Sequence, residues 1–248
     1  MSYNPLSLQG KNILVTGASS GIGRAIAIEC AKLGATLVCT GRNEERLKVT
    51  MSTLEGAGHL SVVTDISVDE GIDTLLAQLP KLDGVAMVAG IAKNVPAPFV
   101  ARNELQRVLD INLIAPMLLQ GSLLKRKKIN NNASLVFMSS IAGIGPYPGQ
   151  AIYAASKAAL MGYMRVLTLE LGAKGIRANC ILPGMVETPL IRGGSYDEEM
   201  LSSDMQNYPL RRYGQPEEVA HLTAFLLSDA AAWITGSCYV IDGGLTRH

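Results

Sequence analysis

The sequence predicts an α/β protein: a doubly wound, seven-stranded parallel sheet with helices on both faces. Three observations carry that expectation. Short β-rich apolar runs alternate with longer amphipathic ones, which is the rhythm of βαβ units. The apolar runs show little in/out alternation, as strands buried on both faces do. Glycines stand where helices should end, as Gly34 does in "CAKLGA" before the next apolar run.

Taken in order, the expected strands are "NILVT" at 12–16, "TLVCT" at 36–40, "LSVVTD" at 60–65, "GVAMVAG" at 84–90, "SLVFMS" at 134–139, "IRANCIL" at 176–182 and "CYVID" at 238–242. Helix-like segments separate them. No repeat and no Pro- or Ser-rich linker divides the 248 residues, so one domain spanning 1–248 is expected. Residues 184–213 break the rhythm, being polar and weakly periodic, and read as a substrate lid.

Composition narrows the function classes. Lys plus Arg number 22 against 21 Asp plus Glu, a formal charge of +1 that offers no field to gather nucleic acid or an anionic membrane. No run stays apolar for about 18 residues and no signal-like segment opens the chain, so a soluble, cytoplasmic protein is expected. Cys30, Cys39, Cys180 and Cys238 form no CxxC pair, and three lie in apolar runs, as buried thiols of a reducing compartment would. No metal site is expected. The cationic run "KRKK" at 125–128 reads first as a solvated helix end favoured by the helix dipole, and second as a docking patch for an acidic partner.

The first strand ends in "TGASSGIG", Thr16 to Gly23, followed by the apolar run "RAIAIECAKLG". In this strand, turn and helix context Gly17 permits a tight exit, Gly21 lets a helix N-terminus approach a pyrophosphate, and Gly23 allows close packing of helix on sheet. Ser19, Ser20 and Ile22 complete the turn. At the end of the second strand no carboxylate waits for a ribose 2'-hydroxyl; Gly41, Arg42 and Asn43 stand there instead. A carboxylate would repel a 2'-phosphate, whereas a guanidinium meets it with charge-assisted hydrogen bonds, which favours NADP(H).

Further on, "YAASK" places Tyr153 and Lys157 one helical turn apart, on one face. A tyrosine with an ordinary pKa of about 10 needs help to move a proton near neutrality, and an adjacent ammonium favours the phenolate. Together with "DIN" at 110–112, "SSIAG" at 139–143, "PGMVET" at 183–188, "GQPEEVA" at 214–220 and the closing "IDGG", these motifs resemble the short-chain dehydrogenase/reductase superfamily nearly end to end. Within it the chain is similar to the compact bacterial reductases that act on 3-oxoacyl groups of acyl carrier protein.

The resemblance implies a single Rossmann-type domain and a catalytic set: Tyr153 as proton donor, Lys157 to lower its pKa and hold the nicotinamide ribose, Ser140 to hydrogen-bond the substrate oxygen, and Asn112 to kink its helix and hold a water that connects Lys157 to solvent. Ser139 is the other candidate for the serine, and Asn112 could instead be a helix N-cap or a turn residue. Nicotinamide contacts are implied at Pro183, Gly184, Val186 and Thr188, and adenine contacts at Asp65 and Ile66, where Asp65 could equally cap a helix. The resemblance also implies that the small Ala89 and Gly90 let the cofactor ribose approach and that Ile91 belongs to the cofactor site. One departure stands out: relatives read "NNAG" where this chain reads "MVAG", Met87 to Gly90, so the sheet-knitting role of the second asparagine must be filled otherwise or be absent.

For the reaction, the expectation is NADPH-dependent reduction of a 3-oxoacyl thioester or similar small carbonyl compound. A keto-sugar, steroid or polyol is the alternative, and a non-catalytic dinucleotide-binding scaffold a further one. Ile91, Ala92, Lys93, Tyr147, Gln150 and Met185 would line the substrate pocket. An acidic acyl carrier protein would meet Lys125, Arg126, Lys127, Lys128 and Lys174. The resemblance also implies a homotetramer, or a homodimer, built on the helix from Ala151 to Leu171 and the last strand.

Overall fold

Strand order in the sheet is β3-β2-β1-β4-β5-β6-β7, with every neighbouring pair parallel. The structure, a computed structural model, describes residues 4–189 and 198–246. The strands are β1 (Asn12–Thr16), β2 (Thr36–Gly41), β3 (Leu60–Val63), β4 (Leu82–Met87), β5 (Ile129–Met138), β6 (Arg177–Pro183) and β7 (Cys238–Ile241), and each contains or overlaps its predicted apolar run. Among the described residues the helices are α1 (Gly21–Lys32), α2 (Glu44–Ser52), α3 (Asp69–Gln78), α4 (Arg102–Leu109), α5 (Ala115–Lys125), α6 (Ala151–Leu171), α7 (Glu198–Met205) and α8 (Pro216–Leu227).

Both faces of the sheet are covered, which is why the strands lack polar alternation. Leu14 of β1 points into a core built with α3, α5 and α6, around Leu75, Leu119 and Met164. Its neighbours Ile13 and Val15 point the other way, into a core built with α1, α2 and α8, around Ile26, Leu47 and Leu227. That two-residue period against two apolar layers fixes the register of the central strand.

The chain reverses direction of travel across the sheet at β1: β2 and β3 lie on one side of it, β4 onward on the other. A crevice therefore opens above the carboxyl ends of β1 and β4, where open α/β sheets bind ligands. The loops that carry the sequence motifs all leave from that end. Gly34 takes the expected left-handed conformation, φ +93°, just after α1.

Two expectations change. Arg102 to Lys125 forms one continuous helix through a π-helical turn at Asp110–Ile114, and an 18-residue window of it reaches a mean hydropathy of 1.2, enough to span a bilayer by length and composition. Val108, Ala115, Leu119 and Leu123 are buried along it and pack into the core, while Leu105, Ile114, Met117 and Leu118 on the same helix are exposed. The "KRKK" run is only partly a solvated helix end. Arg126 pairs with Asp73, while Lys128 donates to the Leu79 carbonyl and its own carbonyl receives Leu82 N–H at 2.7 Å, fastening α5 to the start of β4.

Candidate active site

The glycine turn is shaped by contacts that a side chain would break. Gly17 has φ +69°, and a Cβ there would sit 2.9 Å from the Ala89 Cα; one on Gly23 would sit 2.3 Å from the Gly17 carbonyl oxygen. The turn thus presses on both the β4 exit and its own helix. At the N-terminus of α1, Ser20 makes no side-chain cap and the first turn holds no acidic residue. Its amides and the positive end of the dipole are left for an anion, as the pyrophosphate of a dinucleotide requires.

Arg42 is exposed at the end of β2, and its Nη1 lies 3.7 Å from Asp65 Oδ2. Asn43 beside it caps α2 by accepting from Arg46 N–H at 2.8 Å. Asp65 does not cap a helix: Oδ1 accepts from the Ser67 amide and hydroxyl at 2.9 and 2.6 Å, and α3 begins only at Asp69. Burial works against its charge, but the Ser67 hydrogen bonds and the Arg42 guanidinium together hold the carboxyl below its ordinary value. Ile66 is buried behind it. A guanidinium and a carboxylate thus flank the place where an adenosine end would lie.

The "MVAG" departure has a physical answer in β1. Buried Thr16 Oγ1 accepts from both Val88 N–H and Ala89 N–H, at 2.9 and 3.1 Å, knitting the ends of β1 and β4 without an asparagine. One residue further, Gly90 faces Asn112 and Lys157: a Cβ there would come 3.1 Å from Asn112 Oδ1 and 3.3 Å from Lys157 Nζ.

Asn112 sits in the π-helical turn, fully buried, so it is no helix cap. Its Oδ1 accepts from Ile91 N–H at 2.8 Å, while Nδ2 donates to the Ile91 carbonyl at 2.9 Å and the Ser156 hydroxyl at 3.1 Å. It clamps the loop after β4 onto α6. Widening the helix by one residue turns the carboxamide inward, the usual local use of a π-bulge.

The two candidate serines separate cleanly. Ser139 Oγ donates to the Lys157 main-chain carbonyl at 2.8 Å and is buried. Ser140 Oγ accepts from Ala142 N–H at 3.1 Å and hydrogen-bonds the Tyr153 phenol. Only Ser140 shares the cleft with the phenol. Tyr153 is half-buried on the first turn of α6, where burial pushes its pKa up and the Ser140 hydrogen bond draws it partly back.

Lys157 differs from expectation. Its Nζ donates to the Met138 carbonyl at 2.9 Å and lies 5.8 Å from the Tyr153 ring centre. Burial lowers its pKa to about 8, with the neighbouring Cys180 thiol acting weakly the other way. The lowering comes from desolvation of the ammonium, from which the Met138 carbonyl at the end of β5 accepts a hydrogen bond.

Pro183 ends β6, and the loop after it is pinned through its backbone. Gly184 N–H donates to the Ile241 carbonyl at 3.0 Å, the Met185 carbonyl receives Gly214 N–H at 3.0 Å, and Glu187 N–H donates to the Gly214 carbonyl at 2.9 Å. Val186 and Thr188 are buried within it, and the Thr188 methyl would stand 3.1 Å from a Cβ on Gly21. This loop therefore borders the glycine turn. Sequence reasoning missed Tyr208, whose buried hydroxyl accepts from Met185 N–H at 3.3 Å. An aromatic in a polar stretch was the available signal. Residues 190–197 of the expected lid lie outside the described residues.

The chain's likenesses agree with this geometry. Residues 17–246 match the family described as enoyl-(acyl carrier protein) reductase. The 3-oxoacyl-[acyl-carrier-protein] reductase FabG of Rickettsia felis is 36% identical over 97% of this chain and 98% of its own length. Dehydrogenase/reductase SDR family member 4 of Homo sapiens is also 36% identical, over 96% of this chain and 88% of its own. A solved structure from Beutenbergia cavernae, provisionally named an NAD(P)-dependent gluconate 5-dehydrogenase and holding NADP at low occupancy, superposes with a TM-score of 0.89 at 31% identity, covering 99% of this chain and 100% of that one. With its fold, motif order and relatives in agreement, the chain belongs to the short-chain dehydrogenase/reductase family of oxidoreductases, which use a nicotinamide dinucleotide.

Proposed function

We propose that the protein is an NADPH-dependent reductase of ketones, with a 3-oxoacyl thioester or similar small carbonyl compound as substrate. The observation that carries this reading is the cluster in which Tyr153 meets Ser140 and lies near Lys157, with Lys157 and Asn112 both beside Gly90, together with Arg42 at the end of β2. When bound, the nicotinamide supplies the hydride. Ser140 Oγ donates to the substrate carbonyl oxygen as charge grows on it, and Tyr153 Oη delivers the proton that completes the alcohol. The phenolate left behind would be favoured by the buried Lys157 ammonium, whose Nζ lies 5.8 Å from the ring centre and which can return a proton at a pKa of about 8.

The roles of Gly17, Ser19, Ser20, Gly21, Ile22 and Gly23 are to cradle the pyrophosphate, and Arg42 with Asn43 to meet the 2'-phosphate. Asp65 and Ile66 take the adenine end, Ala89, Gly90 and Ile91 the ribose, and Pro183, Gly184, Val186 and Thr188 the nicotinamide. FabG relatives are named for carrier-bound acyl substrates. With Arg126 and Lys128 engaged in the fold, Lys125, Lys127 and Lys174 are the remaining cations to meet an acidic carrier protein. A cytoplasmic homotetramer completes the reading. The gluconate dehydrogenase neighbour favours a second one, in which the same groups act on a keto-sugar or polyol.

The test follows NADPH absorbance with an acetoacetyl thioester, beside NADH and the Tyr153→Phe variant. Rapid NADPH oxidation that the variant lacks is expected. NADPH binding without turnover would transfer the assignment to the non-acyl carbonyl.

A further inference from the structure

Two residues outside the cofactor motifs join the glycine turn to the helix that follows Arg42 and Asn43. They are Arg24 on α1 and Thr50 near the end of α2. Thr50 is fully buried; its hydroxyl donates to the Ala18 carbonyl at 2.9 Å, with the Arg46 carbonyl 3.2 Å away, and accepts from Arg24 Nε at 3.0 Å. Arg24 Nη2 donates to the Ser19 carbonyl at 2.6 Å and to the Arg46 carbonyl at 3.2 Å. Two successive carbonyls of the turn are thus tied to α2 by one hydroxyl and one guanidinium.

The ties reach the corner at the end of β2 through Arg46. Its N–H donates to the Asn43 side chain at 2.8 Å, and its carbonyl is held by Arg24. The main chain of a single residue therefore links the cap beside Arg42 to the glycine turn. That turn is separately fixed to the sheet, since Ala18 N–H donates to the Thr40 carbonyl at 3.1 Å and Gly17 is pressed against Ala89. Leu47 anchors α2 in the core, a contact without direction, while the hydrogen bonds of Arg24 and Thr50 set its register against the turn. Among the described residues the Arg24 hydrogen bonds go to a hydroxyl and two carbonyls. Its rigid fork of donors acts as a cross-link, which a single ammonium could not reproduce.

We propose that Arg24 and Thr50 are positioning residues for NADP(H) selectivity, holding the glycine turn and the Arg42–Asn43 corner at the one spacing that meets pyrophosphate and 2'-phosphate together. The proposal rests on the assignment of Arg42 to the 2'-phosphate made above. Acting through the backbone, the pair contributes selectivity without reaching for the cofactor. Charge-assisted hydrogen bonds are directional, so displacing their donor weakens them steeply. Removing the Thr50 hydroxyl takes a donor from the Ala18 carbonyl and an anchor from the Arg24 fork, and it frees the start of α2 to shift while the turn stays on the sheet. NADH carries no 2'-phosphate, so its hold on the turn does not depend on where α2 begins. The loss falls on NADPH.

The experiment titrates NADPH and NADH by fluorescence into the full chain and its variants, so that no substrate enters the result. Thr50→Val should weaken NADPH binding about five- to tenfold and NADH binding by less than about twofold. Thr50→Ser, which restores the hydroxyl, should return NADPH binding to within about twofold of the parent. With Arg42→Ala already in place, Thr50→Val should cost NADPH nothing further, because the two changes act on one interaction. Arg24→Lys keeps the charge and loses the fork; it should reproduce the NADPH-specific loss, and it carries the test should Thr50→Val fail to fold. Equal losses for both cofactors, or losses that add to that of Arg42→Ala, would make the network merely structural and overturn the proposal. A parent that does not prefer NADPH would remove the Arg42 assignment and the proposal with it, whereas a preference that survives in both Thr50→Val and Arg24→Lys would remove the proposal alone.

Discussion

Arg42 is the side chain proposed to separate two nearly identical cofactors. Its guanidinium is exposed and only loosely paired with Asp65, at 3.7 Å, so it can turn to an incoming phosphate without breaking a strong contact. A charge-assisted hydrogen bond is worth about 1.5–3 kcal/mol, so Arg42→Ala should weaken NADPH binding about 10- to 100-fold and leave NADH binding nearly unchanged. Titrating each cofactor by fluorescence checks this; equal losses would remove Arg42 from the phosphate role. Motif residues of this kind were legible because their chemistry is local: a glycine turn, or a cation where a carboxylate would repel. Lys157 was less legible. Its position followed from helical spacing, but its depressed pKa comes from the β5 end and the core layer beneath α6, which lie far from "YAASK" in the sequence.

Among elements, the β1–β4 junction carries the most exposed dependence on a single group. Thr16 satisfies two amides that "MVAG" leaves without an asparagine partner. Thr16→Val keeps shape and removes the acceptor, so it should destabilise the protein by about 2 kcal/mol, the cost of unsatisfied buried donors. Thr16→Ser should restore most of that in urea unfolding, and an unchanged midpoint for Thr16→Val would show that the bond contributes nothing. All seven strands were readable from apolar runs, since a sheet covered on both faces writes itself as uninterrupted hydrophobicity. The π-helical turn was not. It inserts one residue into an otherwise regular helix, and only the three hydrogen bonds of Asn112 reveal why.

For the molecule as a whole, burying Lys157 has a linkage consequence. A lysine whose pKa is about 8 when folded and 10.5 when unfolded opposes folding in full below pH 8, where both states are protonated. Between those values the unfolded chain binds more protons, so this contribution to stability rises with pH. Lys157→Met should therefore raise the neutral-pH stability of the cofactor-free protein, by up to about 3 kcal/mol, while turnover is lost. The stability difference between variant and parent should shrink from pH 8 to 10.5 in parallel denaturation curves. A constant difference would mean that Lys157 is not desolvated in solution.

The strand order also bears on how the chain reaches this form. Strands β1 to β4 are complete once Met87 has been made, and only β1 must keep a place free beside it until β4 arrives. After that β5, β6 and β7 each add to an edge already in existence, in the order in which a ribosome delivers them. Long-range parallel pairing is slow because loop closure precedes its reward, and the longest such closure in this sheet is the β1–β4 pairing, which joins Ile13 to Gly84. Assembly during synthesis can then proceed outward from β4, with the edge strand β7 added only after β6 is in place.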